Sequence, residues 1–207
     1  KRQHIQYPQP GDISKVPYAE PAWLVENFHS PYYSDSHRRL QREMRVFTEK
    51  YVLPVAEKCE VSGERPDVEL VKLMGANGLN AMRLGPGKHL AGRKLFADIK
   101  PEEFDYFHEL IITQELSRCG TRGFMDALQG GMVIGLPPVI NFGSDEMKRE
   151  IVEPVFRGEK FISLAITEAF AGSDVMGLRT YAKKTEDGQH YIVTVSYTHL
   201  TLPTNME

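Results

Sequence analysis

From Ser34 onward, apolar residues recur at intervals of three and four. Leu40, Met44, Phe47, Tyr51 and Val55 form one stripe with charges opposite, which predicts a long amphipathic helix. Pro54 removes a backbone donor near its end and is expected to kink or tighten the last turns. Asp67 is placed to cap a second helix carrying Val68, Val71 and Met74, stopped by Asn77-Gly78. Pro101 suits the first turn of a third helix, with Glu102 and Glu103 complementing its dipole and Phe104, Phe107 and Ile111 as its buried face. Gly130-Gly131 precedes the apolar helical segment Met132-Val133-Ile134. Small residues there favour close packing of another helix over approach of a ligand. Ser144, Asp145 and Glu146 open one more helix, which buries Ile151, Val152 and Val155 and closes at Gly158.

Beyond Gly158 the period changes. Phe161 to Thr167 is an apolar run too short for a helix and reads as a strand, while Arg179–Thr185 and His190–Val195 flank Asp187-Gly188, a hairpin signal. Helices followed by strands predict an α+β chain: an N-terminal helical bundle domain, then the beginning of an antiparallel β domain. The boundaries read as a Pro-rich linker or arm over 1–33, a helical domain over 34–158, the start of the β domain over 159–195 and an atypical tail over 196–207. No internal repeat is visible.

The chain has 207 residues, 41% of them hydrophobic, and a formal net charge of -3. That balance argues against nucleic acid as a partner, because neutralising phosphates needs a clustered basic excess. The short basic runs His37-Arg38-Arg39 and Lys183-Lys184 are expected on solvated faces. Cys59 and Cys119 stand far apart, without a disulfide framework or a CxxC metal pair, and read as buried thiols in a reducing compartment. No uninterrupted run of about 18 uncharged apolar residues appears, so no membrane span is expected. The chain opens on Lys1 without a signal-peptide pattern, and an upstream piece is expected. Gly85-Pro86-Gly87-Lys88 fails as a phosphate loop, since position 82 is Met and His89 stands where a Ser or Thr is needed. His108-Glu109 fails as a zinc motif because position 112 is Ile, which leaves His108 as a helix-surface histidine.

The richest local chemistry lies at Ala165-Ile166-Thr167-Glu168-Ala169-Phe170-Ala171-Gly172-Ser173-Asp174-Val175-Met176-Gly177. Short side chains let a ligand approach the backbone. Gly172 and Ser173 offer amide donors and a hydroxyl suited to a phosphate, and Thr167 is suited to the edge of a planar heterocycle. On these residues alone, an ordinary strand end with a Ser-Asp turn is the commoner reading. The stretch resembles the signature of the acyl-CoA dehydrogenase family: small residue, aliphatic, Ser or Thr, Glu, two free positions, small residue, Gly, Ser or Thr, Asp, two free positions, small residue. Every specified position is met. The resemblance runs back through Gly158-Glu159-Lys160 and Asn141-Phe142-Gly143-Ser144 to the first long helix near Ser36. Many members carry Pro-Gly at the free positions where this chain has Ala169-Phe170.

The resemblance implies FAD as cofactor and a barrel-like middle β domain after the helical one. It places Leu164, Ile166 and Thr167 against the flavin ring and Gly172 and Ser173 at the FAD pyrophosphate, with Ser173 also near the acyl-CoA substrate. Glu168 and Asp174 are expected to hold the turn by accepting backbone N–H bonds. The implied reaction is α,β-dehydrogenation of an acyl-CoA thioester, with an electron acceptor such as an electron-transfer flavoprotein and a homo-oligomeric assembly. The family's carboxylate base comes from a C-terminal helical domain, so no residue of this chain is assigned as catalytic base. Members also carry a Trp-Ile-Thr segment after the His190–Val193 strand. Here the sole tryptophan is Trp23, and Thr194 to Asn205 departs abruptly. That tail is expected to be adapter- or vector-derived, and the chain a fragment with uncovered apolar surface on its third and fourth helices. A non-catalytic interaction module and an oxidase-type relative using oxygen are the alternatives. Acyl chain length and compartment (mitochondrial, peroxisomal or cytoplasmic) are left open.

Overall fold

Residues 9, 11–16, 18–24 and 28–196 are described by a computed structural model. The remainder of the expected arm and the atypical tail past Ser196 lie outside the described residues. The described chain divides into two compact units, one ending at Ser163 and the other beginning at Leu164.

The first unit is helical. Helix α1, Asp35–Phe47, follows the N-cap Ser34 and runs through a π turn, Thr48–Val52, into α2, Leu53–Ser62. The π turn changes which residues face inward. Leu40, Met44 and Phe47 are buried as the stripe predicts, but Tyr51 is 40% exposed and the buried face passes instead to Val52, Ala56 and Cys59. Pro54 lies at the start of α2. It has no N–H to return to the preceding turn, and the wider π turn absorbs the missing bond where tightening was expected. Helix α3, Val68–Ala76, begins at Asp67, whose Oδ1 accepts the Glu69 N–H at 2.9 Å, and the chain turns at Gly78 with φ of 76° into α4, Leu79–Met82.

The third predicted helix starts later than expected. Pro101–Glu103 form a turn, and α5 runs Tyr106–Ser117 from the N-cap Asp105. The later start rotates Phe107 outward to 36% exposure, while Phe104 and Ile111 are buried as expected. Asp105 explains the shift. Its Oδ1 accepts the N–H groups of Phe107 and His108, each at 3.0 Å, a stronger start signal than the earlier Pro-Glu-Glu.

Helices α1 and α5 pack side by side, and Leu40, Met44, Ile111, Ile112 and Leu116 bring their shared seam to zero exposure. Their N-termini are cross-linked. His37 Nδ1 accepts the Ser34 N–H at 3.0 Å and its Nε2 meets Asp105 Oδ1 at 3.0 Å. His108 Nδ1 meets the same carboxylate oxygen at 2.8 Å, and its Nε2 meets Ser36 Oγ at 2.9 Å. The two rings stack, centroids 3.6 Å apart. His108 is therefore 1% exposed and not a surface residue, and His37 is 4% exposed. In the rest of the His37-Arg38-Arg39 run the Arg38 side chain is only 18% exposed while that of Arg39 keeps 42% exposure; Arg38 Nε donates to Trp23 O and Arg39 Nε to Ala97 O. Each satisfies a carbonyl that helix or sheet does not reach.

Deeper in the same seam Arg45, 2% exposed, pairs bidentately with Glu115 and with Glu20, while Gln41 Nε2 donates to Glu115 Oε1 at 3.0 Å. Burial alone would lower the arginine's proton affinity, but the bonds from Glu115 and Glu20 raise it. Glu20 thereby fixes the segment before α1 to the bundle.

Helix α6, Arg122–Met125, continues through a π turn, Asp126–Gly130, into α7, Gly131–Phe142. This run is the one place among the described residues long and apolar enough to cross a membrane, with a mean hydropathy of 1.2. Asp126, Gln129 and Asn141 break its apolar sequence. Its Phe124, Leu128, Met132 and Leu136 instead form a stripe at intervals of four, buried in the helical core. Gly131 admits a different neighbour from the helix expected. A Cβ there would lie 2.3 Å from Ile162 O, so the segment around Ile162 crosses at backbone contact. Helix α8, Asp145–Met147, starts where the Ser144 hydroxyl accepts the Met147 N–H. It leads through a π turn, Lys148–Val152, to α9, Glu153–Phe156, and Gly158 follows with φ of 72°. Asn80 Nδ2 bridges Val71 O and Phe156 O, both at 3.1 Å, tying α3 to α9. Tyr106 and Leu110 on α5, and Ile134 and Phe142 on α7, are exposed.

The second unit carries an antiparallel hairpin of β1, Tyr181–Lys184, and β2, Tyr191–Thr194, in the register Tyr181↔Thr194 to Lys184↔Tyr191. Asp187 and Gly188 form its turn as predicted. Asp187 Oδ1 accepts from the Gln189 N–H at 3.0 Å and the Thr185 hydroxyl at 2.5 Å, and Gly188 has φ of 69°. Residues 161–167 do not form the predicted strand and carry no regular secondary structure. The chain is thus α+β: a helical domain followed by a short antiparallel sheet.

Candidate functional site

The junction Ala165–Gly177 lies in the second unit and is organised by a small backbone turn. Glu168 N–H donates to Ala171 O at 3.0 Å and Ala171 N–H to Glu168 O at 3.1 Å, with Ala169 and Phe170 at the tip. This pairing brings the flanks of the turn, Thr167 and Gly172, alongside one another. Ala171 is 2% exposed and anchors the turn.

Both acids hold backbone. The Glu168 carboxylate accepts the Arg179 N–H and, at 2.7 Å, the Thr180 hydroxyl, which ties the turn to the segment entering β1. The Arg179 N–H, followed by that hydroxyl, keeps Glu168 below the usual glutamate range. The Arg179 guanidinium lies 4.0 Å from the centroid of the Phe170 ring, so the free position Phe170 closes the turn by a cation–π contact. Asp174 Oδ1 accepts the Met176 N–H at 3.1 Å and starts the 3-10 turn Val175–Gly177. A Cβ on Gly177 would meet Phe170 O at 2.8 Å, so only glycine fits beneath the tip.

Leu164, Ile166, Thr167, Gly172 and Ser173 fall on the two arms flanking this turn. Leu164, Thr167, Gly172 and Ser173 are exposed and Ile166 is half-buried. No heavy atom beyond its chain neighbours lies within 4 Å of a Cβ built on Gly172. The backbone at Gly172-Ser173 is therefore approachable, as a phosphate requires, while the turn behind it is fixed by Glu168 and Asp174.

Two further constellations went unrecognised in the sequence. In the helical unit Arg83 Nε donates to Gln129 Oε1 at 2.8 Å, and its Nη1 donates to Glu109 and, at 2.5 Å, to Thr113 Oγ1. Arg83, Thr113 and Gln129 line a cleft of about 180 Å³ that extends to Gly130 and Val133. Burial lowers the Arg83 pKa against the opposing pull of Glu109. The partners are 26 to 46 residues away, beyond the reach of any local spacing rule. The second is His37, Asp105 and His108, whose ligand-type atoms all lie within 4.8 Å of one another. The stacked rings, 22° from parallel, keep their in-plane lone pairs from converging on one ion, and each nitrogen already has a hydrogen-bond partner. Helix-end bonding accounts for this cluster without a metal.

Comparison with known proteins places this architecture. The family described as acyl-CoA dehydrogenase, N-terminal domain, matches residues 34–159. The acyl-CoA dehydrogenase AFT10-1 of Alternaria alternata is 37% identical over 185 residues, covering 87% of this chain and 41% of that protein. The acyl-CoA dehydrogenase apdG of Emericella nidulans is 37% identical over 186 residues, covering 88% and 42%. A crystal structure of acyl-CoA dehydrogenase complexed with FAD from Bacillus anthracis superimposes with a TM-score of 0.64 at 28% identity, covering 84% of this chain and 28% of that one. The chain spans less than half the length of each of these proteins. With the match to residues 34–159 covering well over half of its own length, the chain belongs to the acyl-CoA dehydrogenase family.

Proposed function

We propose that this chain supplies the helical domain and the cofactor-facing junction of an FAD-dependent acyl-CoA dehydrogenase, an oxidoreductase acting on acyl-CoA thioesters. The observation that carries the reading is the open backbone at Gly172-Ser173, presented by a turn whose two acids are spent on holding it. It is supported by the FAD in the related Bacillus anthracis structure.

Gly172 and Ser173 would meet the FAD pyrophosphate through backbone N–H groups and the Ser173 hydroxyl, since an approachable backbone without a Cβ suits a bulky anion. Leu164 and Ile166 would cover the flavin ring with apolar surface, and Thr167 would bond its polar edge. Ser173 would also contact the acyl-CoA. Bound FAD supplies the hydride acceptor for α,β-dehydrogenation. Glu168 orients the turn and takes no proton from substrate, because both of its oxygens are engaged by the backbone and by Thr180, and Asp174 holds the turn through Oδ1. An electron acceptor such as an electron-transfer flavoprotein and assembly as a homo-oligomer belong to the same proposal.

The test is a titration of FAD into the purified chain, followed by quenching of flavin fluorescence and the shape of the flavin absorbance band. Saturable quenching with a shifted band is expected, weakened at least tenfold by Gly172→Val, which fills the approach. Absence of saturable binding, or equal binding by the variant, would overturn the assignment of this junction.

A further inference from the structure

A small cavity of about 30 Å³ lies in the helical unit where α4, the Asp126–Gly130 turn, α7 and the segment around Phe161 and Ile162 meet. Two amide side chains line it, Asn80 at 1% exposure and Gln129 at 4%. Each has one polar atom without a protein partner: Asn80 Oδ1 and Gln129 Nε2.

Chemistry fixes the orientation of both amides. Asn80 Nδ2 donates to two carbonyls, Val71 O and Phe156 O, so a flip would set its oxygen against two acceptors. Gln129 Oε1 accepts from Arg83 Nε, so a flip would set its NH₂ against a cationic donor. The unpartnered atoms are therefore one acceptor and one donor, carried by two residues that line the same cavity. Leaving either buried and unsatisfied costs roughly 1–3 kcal/mol. An ion would suit one of the two atoms and repel the other, and an organic ligand does not fit the space. Water donates and accepts together, and roughly 10–15 Å³ by the same measure is enough to hold one molecule.

We propose that this cavity is a binding site for a single structural water bridging Asn80 Oδ1 and Gln129 Nε2. The water completes a chain from the α3–α9 joint, through Asn80, to Gln129 and on to Arg83 in the neighbouring cleft. Its role is to set the rotamer of Gln129, which sits on a π turn and whose side chain has one hydrogen bond among the described residues, to Arg83. This inference does not depend on the flavin assignment and holds or fails with the helical unit alone.

The test combines a high-resolution crystal structure of the chain with water-selective NOE spectroscopy on the Gln129 side-chain amide. One ordered water within hydrogen-bond distance of both atoms is expected, with a cross-peak from a long-lived water. In Asn80→Leu that cross-peak should vanish. A dry cavity, a direct Asn80–Gln129 hydrogen bond, or a water bonded to neither atom would overturn the proposal. The wild-type measurement decides the matter even where the variant does not fold.

Discussion

Replacing Gly131 by alanine sets two opposite effects against each other, and the geometry says which wins. Alanine is favoured over glycine in a helix by up to about 1 kcal/mol. At Gly131, however, the new Cβ would stand 2.3 Å from Ile162 O and 3.2 Å from Ser163 Cα, both backbone atoms that cannot turn aside. Relief requires moving the crossing segment by about an ångström, and such overpacking costs about 1–3 kcal/mol. With the full helix gain set against it, the net expectation is a loss of up to about 2 kcal/mol. Two other glycines calibrate the measurement. At Gly135 the nearest atom is Ile162 Cγ1 at 3.3 Å, which a side-chain adjustment accommodates, and at Gly123 nothing lies within 4 Å. The three alanine variants, compared by urea denaturation, should therefore rank Gly123→Ala as most stable, Gly135→Ala near wild type and Gly131→Ala as least stable. Equal midpoints for Gly131→Ala and Gly123→Ala would refute the claim that the 161–163 segment packs against α7 through backbone contact.

The His37–Asp105–His108 clasp predicts a pH dependence. Burial first, and the neighbouring His37 second, lower the His108 pKa against the pull of Asp105 and Glu103, below its ordinary 6.5. As pH falls the unfolded chain takes the proton before the folded one, so stability is full above that ordinary value and declines as pH falls toward the folded pKa. Denaturation midpoints between about pH 8 and pH 5 should fall with acid in the wild type and less steeply in His108→Gln; identical slopes would contradict the assignment. Arg45→Met should cost toward the lower end of about 3–5 kcal/mol, because Glu115 and Glu20 lose their buried counter-charge while the half-exposed Arg118 stays 3.6 Å from Glu115, and adding Glu115→Leu should recover part of the loss. A single-variant loss under about 1 kcal/mol would mean that the pairs lie in solvent.

Features that depend on near neighbours in sequence were legible. Ser34, Asp67 and Ser144 mark helix starts, Gly78 and Gly158 carry the left-handed turns expected of them, and Asp187-Gly188 turns the hairpin. The signature around Glu168 also told its own local story, because the acids bond backbone within a dozen residues. Misreadings arose where distant elements decide. His108 has no local reason to be buried; Ser36, 72 residues earlier, supplies it. Tyr51 left the core because a π turn adds a residue that periodicity counting does not anticipate. Residues 161–167 have strand composition, but a ladder needs a second strand, which no local rule guarantees.

The Arg45–Glu115 pair also bears on how the protein is made. Its partners are 70 residues apart, and a ribosome adding 5–20 residues per second separates their emergence by roughly 4–14 s. Throughout that interval α1 carries a cation on its inward face with no counter-charge from α5 to neutralise it. Glu20, made 25 residues before Arg45, is its counter-charge in that interval, so the arm can dock on α1 first and the seam with α5 closes only after Glu115 has been synthesised. A charge that secures the finished seam thus also orders its assembly, with the upstream acid engaged first and the acid of α5 last.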